Sequence, residues 1–247
     1  MSTDQPLAQE VTPEKPGAPQ PVAPLWHTVV FVAVVLGFAA SSAHSEHAMV
    51  VQHGRMPMYA LTLAWEWLLV GYIVWGARRR GVGLREIVGG RWSSPEEALL
   101  DLATAIGFWL AAAVVLVWLS FALGLTHPDQ LQQAKRQIGE LLPRTGAEAA
   151  VWLMLSATAG FCEEIMFRGY LQRQFAAATR SAWAAVAMQA VVFGIAHAYQ
   201  GGRRIVLIGV YGALFGLLAL WRKSLRPGMM AHALQDSASG VFFRFLR

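Results

Sequence analysis

Seven apolar runs, parted by short loops that carry arginine, decide what this chain can become. They extend roughly from Leu25 to Ala43, Met58 to Ala77, Ala98 to Leu125, Ala147 to Phe175, Ser181 to Tyr199, Ile205 to Trp221 and Pro227 to Leu246. A segment of about 20 apolar residues is what a membrane helix needs. In hydrocarbon every backbone polar group must be satisfied within the segment, which selects helices. The expectation is an all-α, polytopic transmembrane helix bundle of about seven to eight spans. Composition agrees: 14% of residues are charged, 55% are hydrophobic and mean hydropathy is +0.42, whereas soluble domains carry about 25% charged residues.

The formal charge of +5 and a pI near 9.8 would suggest nucleic acid in a soluble protein. Here the arginines lie in loops between apolar runs, so they are read through the positive-inside rule and attraction to anionic headgroups. The partner expected from this pattern is therefore the lipid bilayer, and no nucleic acid. Arg78-Arg79-Arg80 with Arg85 and Arg91 mark the strongest cytoplasmic loop, and Arg173, Arg180, Arg222, Lys223 and Arg226 mark two more. This pattern places the N-terminus in the cytoplasm. Residues 1–24, with Pro13, Pro16, Pro19, Pro21 and Pro24, read as a disordered cytoplasmic tail. Residues 25–146 read as N-terminal transmembrane helices with an interfacial segment, and residues 147–247 as a membrane core.

Local signals fill in the frame. Ser93-Ser94-Pro95-Glu96-Glu97 has a Ser cap, Pro in the first turn and acids at the positive dipole end of a helix. Leu131, Ala134, Ile138 and Leu141 recur at helical spacing in an otherwise polar stretch, as in an amphipathic surface helix. The polar stretch Ser45 to Pro57, with His44, His47 and His53 around it, reads as a solvated loop with too few acids and no thiols for a metal. Cys162 reads as a small buried hydrophobe. Gly212 and Gly216 form a small-xxx-small pair suited to close helix contact. Glu66 sits in mid-span and needs a partner or a wet cavity.

Ionisable groups at bilayer depth are expensive, so their default reading is functional. Glu163, Glu164 and Arg168 lie on the fourth run, His197 on the fifth, and His232 and Asp236 on the seventh. Glu164 and Arg168 are four apart and can pair on one face. Glu163 points about 100° away and stays available for chemistry. His232 and Asp236 share a face as well.

Glu-Glu-x-x-x-Arg, Phe193-x-x-x-His197 and His232-x-x-x-Asp236, in that order on successive membrane helices, resemble the CPBP family of CAAX prenyl endopeptidases and bacteriocin-processing (Abi) proteins. The resemblance covers about Ala147 to Phe243. It implies an intramembrane endopeptidase without a covalent intermediate, with residues 147–247 as its catalytic core and a membrane-associated peptide or protein as its substrate. Glu163 with His197 would bind and deprotonate water, Glu164 and Arg168 would shape the site, and His232 with residue 236 would stabilise the oxyanion. The best-known members have Asn where this chain has Asp236, and an ionised carboxylate cannot donate to an oxyanion. Asp236 would then orient His232 or stay protonated. No cofactor is expected. The alternative is zinc, with Glu163, His197, His232 and Asp236 as ligands assembled between helices. A rival from another class is a non-enzymatic membrane protein: a self-immunity factor, a scaffold or a small-solute permease. The Ala/Gly/Arg-rich, Lys-poor composition fits a GC-rich bacterium, hence a multi-pass protein of the inner (cell) membrane.

Overall fold

A computed structural model describes residues 19–137, 139 and 141–245. Among them the chain is helical throughout and contains no strand. In order come α1 (Leu25–His53), α2 (Arg55–Arg78), α3 (Leu84–Val88), α4 (Pro95–Ala122), α5 (Pro128–Gln137) and α6 (Gly146–Glu163). A π-helical segment (Glu164–Leu171) joins α6 to α7 (Gln172–Thr179), and α8 (Ala182–Ala196), α9 (Gly202–Arg222) and α10 (Arg226–Phe245) complete the bundle. Each apolar run of the sequence falls on a helix. Arg55–Arg78, Pro95–Ala122, Gly146–Thr179 and Gly202–Arg222 are long and apolar enough to cross a membrane, and Leu25–Ser41 and Ala182–Ala196 are shorter apolar segments. Leu99, Val114, Trp118, Trp183 and Trp221 point outward, as side chains facing lipid and its interface do. This is an integral membrane protein.

Helix ends follow their local chemistry. Ser94 caps α4 by accepting from the Glu97 backbone N–H, with Pro95 behind it. Thr145 and Glu148 close a capping box on α6. The stretch with apolar residues at helical spacing is helical as α5, which holds Leu131 and Ala134, and Ile138 lies outside the described residues. Two boundaries differ from expectation. The stretch read as a loop around His53 is helical: α1 continues to His53, and the break is a single residue, Gly54, at φ 81°. Nothing between Ala43 and His53 stops a helix, whereas the left-handed conformation at Gly54 does. The side chains of His44 and His47 lie outside the described residues, as does most of the 1–24 tail. The second difference is α8, which stops at Ala196 and leaves His197 as its C-cap.

Arginine-rich ends gather at one end of the bundle. Arg173 reaches Glu86 at 2.9 Å, Arg222 and Arg226 reach the buried Asp101 at 3.0 and 2.9 Å, and Arg226 also pairs with Glu97. The start of α1 belongs to the same end. The His27 ring stacks on Tyr72 at 3.9 Å between centroids and donates from Nε2 to the Tyr72 carbonyl at 3.0 Å. Its Nδ1 therefore accepts from the Tyr170 hydroxyl, 2.6 Å away. Gln174 bonds both backbone groups of Ala23. The N-terminal helices are thereby tied directly to the π segment and α7.

Candidate active site

Close helix approach builds the site. A Cβ on Gly160 would stand 2.6 Å from the Met229 carbonyl oxygen and 2.8 Å from the Ala233 nitrogen. Only glycine lets the α6 and α10 backbones meet there, and His232 sits beside that contact. On the other side, a Cβ on Gly212 would come within 2.8 Å of the Phe193 ring, and one on Gly216 within 2.7 Å of Gln172 and 2.8 Å of Gln189. The small-xxx-small pair thus does what its spacing suggested.

Directly after Glu163 the helix widens. The backbone N–H of Gln172 bonds the Phe167 carbonyl, five residues back, and every residue from Glu164 to Leu171 is buried. A regular 3.6-residue periodicity does not foresee this. Short π segments interrupt α-helices mostly at functional sites. Even so the Glu164–Arg168 pair survives: Arg168 Nη1 donates to Glu164 Oε1 at 2.8 Å, and both side chains are at most 1% exposed. Arg168 Nη2 donates to the Gly212 carbonyl at 3.0 Å, and its guanidinium lies 4.4 Å from the Phe193 ring centroid and 5.0 Å from that of Phe215.

Glu164 has a second partner that its sequence position does not reveal. Its Oε1 is 3.2 Å from His232 Nδ1. Glu164 accordingly links Arg168 to His232 across two helices, which corrects its reading as a purely local pair. With Nδ1 so engaged, His232 turns Nε2 toward Glu163 Oε2 at 3.6 Å and Asp236 Oδ2 at 3.7 Å. Asp236 faces the outer nitrogen of His232, and Glu164 holds the inner one.

His197 approaches from α8. Its Nδ1 is 2.9 Å from the Phe193 carbonyl; a carbonyl only accepts, so Nδ1 carries the proton. In the neutral ring Nε2 then presents a lone pair, 3.9 Å from Glu163 Oε2. Glu163 Oε2 is buried and has no hydrogen-bond partner among the described residues. Two imidazole nitrogens stand 3.6 and 3.9 Å from it, beyond direct hydrogen bonding and within the span of one bridging water. All six residues singled out in the sequence thus converge: Glu163, Glu164, Arg168, His197, His232 and Asp236.

Glu163 and His197 open onto a cavity of about 550 Å³ between α1, α2, α6 and the turn after α8. Its walls are chiefly apolar, with Phe38, Trp65, Leu69, Trp152 and Met166 among them, and α2 adds Glu66. Among the described residues no group of three or more His, Cys, Asp or Glu side chains is disposed to hold a metal ion. The four residues proposed as zinc ligands do not form such a group here.

A helical membrane domain with carboxylates, histidines and an arginine meeting in its interior belongs to the class of intramembrane sites built between helices. Within it, residues 145–238 match the family model described as Rce1-like: type II CAAX prenyl endopeptidase Rce1-like. The match contains all six site residues and most of the stretch that carries the sequence resemblance. No curated protein and no solved structure matches the chain.

Proposed function

We propose that this protein is an intramembrane endopeptidase of glutamate type that hydrolyses a peptide bond in a membrane-associated protein or peptide. The observation that carries the reading is the placement of Glu163 Oε2, unpartnered, 3.6 and 3.9 Å from histidines on two other helices at the wall of an apolar cavity. Water held between Glu163 and His197 Nε2 gives one proton to the Glu163 carboxylate as its oxygen attacks the scissile carbonyl carbon. The carbonyl π electrons move to oxygen. His232, doubly protonated, donates its Nδ1–H to the Glu164 carboxylate and presents its Nε2–H to that oxyanion. Collapse of the tetrahedral intermediate breaks the C–N bond, and the proton on Glu163 passes to the leaving amine. Asp236 acts on His232; as a carboxylate it offers the oxyanion no donor.

Arg168 belongs to the scaffold of this reaction through Glu164. The arginine-rich end of the bundle, with the start of α1, is placed on the cytoplasmic side of a bacterial inner membrane. Water and side chains suffice, so cleavage should survive chelation in metal-free protein. Activity lost to a chelator and restored by zinc would convert Glu163 into a ligand. The deciding experiment compares membrane proteins and secreted peptides, by mass spectrometry, between wild type and strains carrying Glu163→Gln or His197→Ala. Substrate should accumulate in both variants, and continued cleavage in both sinks the reading. A non-enzymatic role predicts instead that deletion of the protein has a phenotype and Glu163→Gln has none.

A further inference from the structure

The reaction above gives Glu66 nothing to do, and its setting is unusual. It lies in mid-α2, outside residues 145–238, and is 5% exposed. Its Oε2 is buried with no hydrogen-bond partner among the described residues. It lines the same cavity as Glu163 and His197. A buried carboxyl with an empty acceptor position calls for a donor, and among the described residues none bonds to it.

The charge balance says what kind of donor fits. Four acids, Glu66, Glu163, Glu164 and Asp236, meet around the site, and the one arginine among them, Arg168, is already paired with Glu164. Ionising all four would leave the balance three negative with both histidines neutral and one negative with both protonated, so a cation brought by a ligand is what would let Glu66 ionise. The remaining cavity wall, including Phe38, Leu61, Trp65, Trp152 and Met166, is apolar and partly aromatic, and aromatic faces attract cations.

We propose that Glu66 is a specificity-determining residue: its carboxyl receives an amine or ammonium N–H carried by the apolar molecule that fills the cavity. Resting on the peptidase reading, that molecule is a substrate segment whose apolar side chains occupy the cavity and whose basic side chain or free amino terminus meets Glu66 while the scissile carbonyl lies at Glu163. The N-terminal helices would in this way choose what the matched core cleaves.

The test uses the full-length protein in nanodiscs of zwitterionic lipid, with Trp65 and Trp152 as fluorescent reporters, and compares decylamine with decanol. Wild type should bind the amine more tightly by about tenfold or more, the size of one hydrogen bond to a charged group. Glu66→Gln, and Glu66→Met as a second variant, should bring the ratio close to one while decanol binding holds. Glu163→Gln should keep the preference. A preference that survives in Glu66→Gln, is absent from wild type, or vanishes in Glu163→Gln overturns the assignment. A second arm measures cleavage of apolar peptides that differ only by Lys against norleucine, or by a free against an acetylated amino terminus. The favoured form should lose its advantage in Glu66→Gln through KM, with kcat retained. Amine preference without cleavage of any peptide by wild type would overturn the peptidase reading and leave the Glu66 site standing.

Discussion

Glu163 and Glu164 are neighbours in the chain and opposites in their surroundings. Glu164 is 1% exposed, and its Oε1 takes Arg168 at 2.8 Å and His232 at 3.2 Å. Glu163 is 15% exposed, has an unpartnered Oε2 and lines the cavity. One step along a helix turns a side chain by about 100°, which is enough to point one carboxylate into the packed α9–α10 side and the other into the cavity. The lesson is that residue type does not assign the role; the paired cation and the access to the cavity do. A carboxylate sealed in the core and held through one oxygen by Arg168 and His232 is structural, and one that faces the cavity beside two imidazoles is available to take a proton.

The sharpest way to break this contrast is to remove each carboxylate's function separately. Glu163→Gln should lower kcat by about 10²- to 10⁴-fold, the usual worth of a general base, with the thermal unfolding midpoint unchanged. A variant that unfolds early instead would show that Glu163 is also structural. Arg168→Met should do the reverse. It leaves Glu164 buried without its cation, which costs about 3–5 kcal/mol of stability, read by thermal unfolding in detergent. The double variant Arg168→Met with Glu164→Gln should recover part of that loss. If Arg168→Met unfolds no earlier than Glu163→Gln, the division of labour between the two glutamates fails.

The contrast also separates what one dimension of sequence holds from what it does not. The apolar runs, the arginine loops and the Ser94 and Thr145 caps depend on residues close in sequence, so the helices and most of their ends were legible. The i,i+4 pair of Glu164 and Arg168 was legible for the same reason, although the chain turns π-helical between them. The link from Glu164 to His232 spans 68 residues and exists because Gly160 lets two backbones touch; no local pattern announces it. Glu66 was visible as an expensive residue, and its place in the cavity depends on how α2 packs on α6. The extension of α1 through His53 was missed because polar residues near a membrane end read as loop, when only Gly54 breaks the helix.

Gly160 is accordingly the next point of attack. Gly160→Ala should cost about 1–3 kcal/mol, typical of overpacking, because the added methyl meets Met229 and Ala233 backbone atoms. It should also lower kcat by shifting His232 away from both glutamates. Gly71→Ala, where a Cβ meets nothing within 4 Å, is the matched control and should leave both measurements unchanged. Equal effects at the two positions would dissociate the α6–α10 contact from the site.

Asp236 should give the smallest effect and the most chemical information. Its carboxylate is 34% exposed and stands 3.7 Å from His232 Nε2, so it is neither ion-paired like Glu164 nor sealed like Arg168. Asn has nearly the same shape and can donate where Asp cannot. If Asp236 acts only by orienting His232, Asp236→Asn keeps an acceptor for the ring and adds a donor near the oxyanion, so activity should change by less than about tenfold, whereas loss of an essential oxyanion contact costs about 10²–10³. Asp236→Ala, which removes the acceptor and adds no donor, should be the slower of the two. A hundredfold loss in Asp236→Asn would mean that the negative charge itself is needed, as it is for a metal ligand, and measuring bound zinc in that variant and in wild type would then decide whether Glu163 is a base or a ligand.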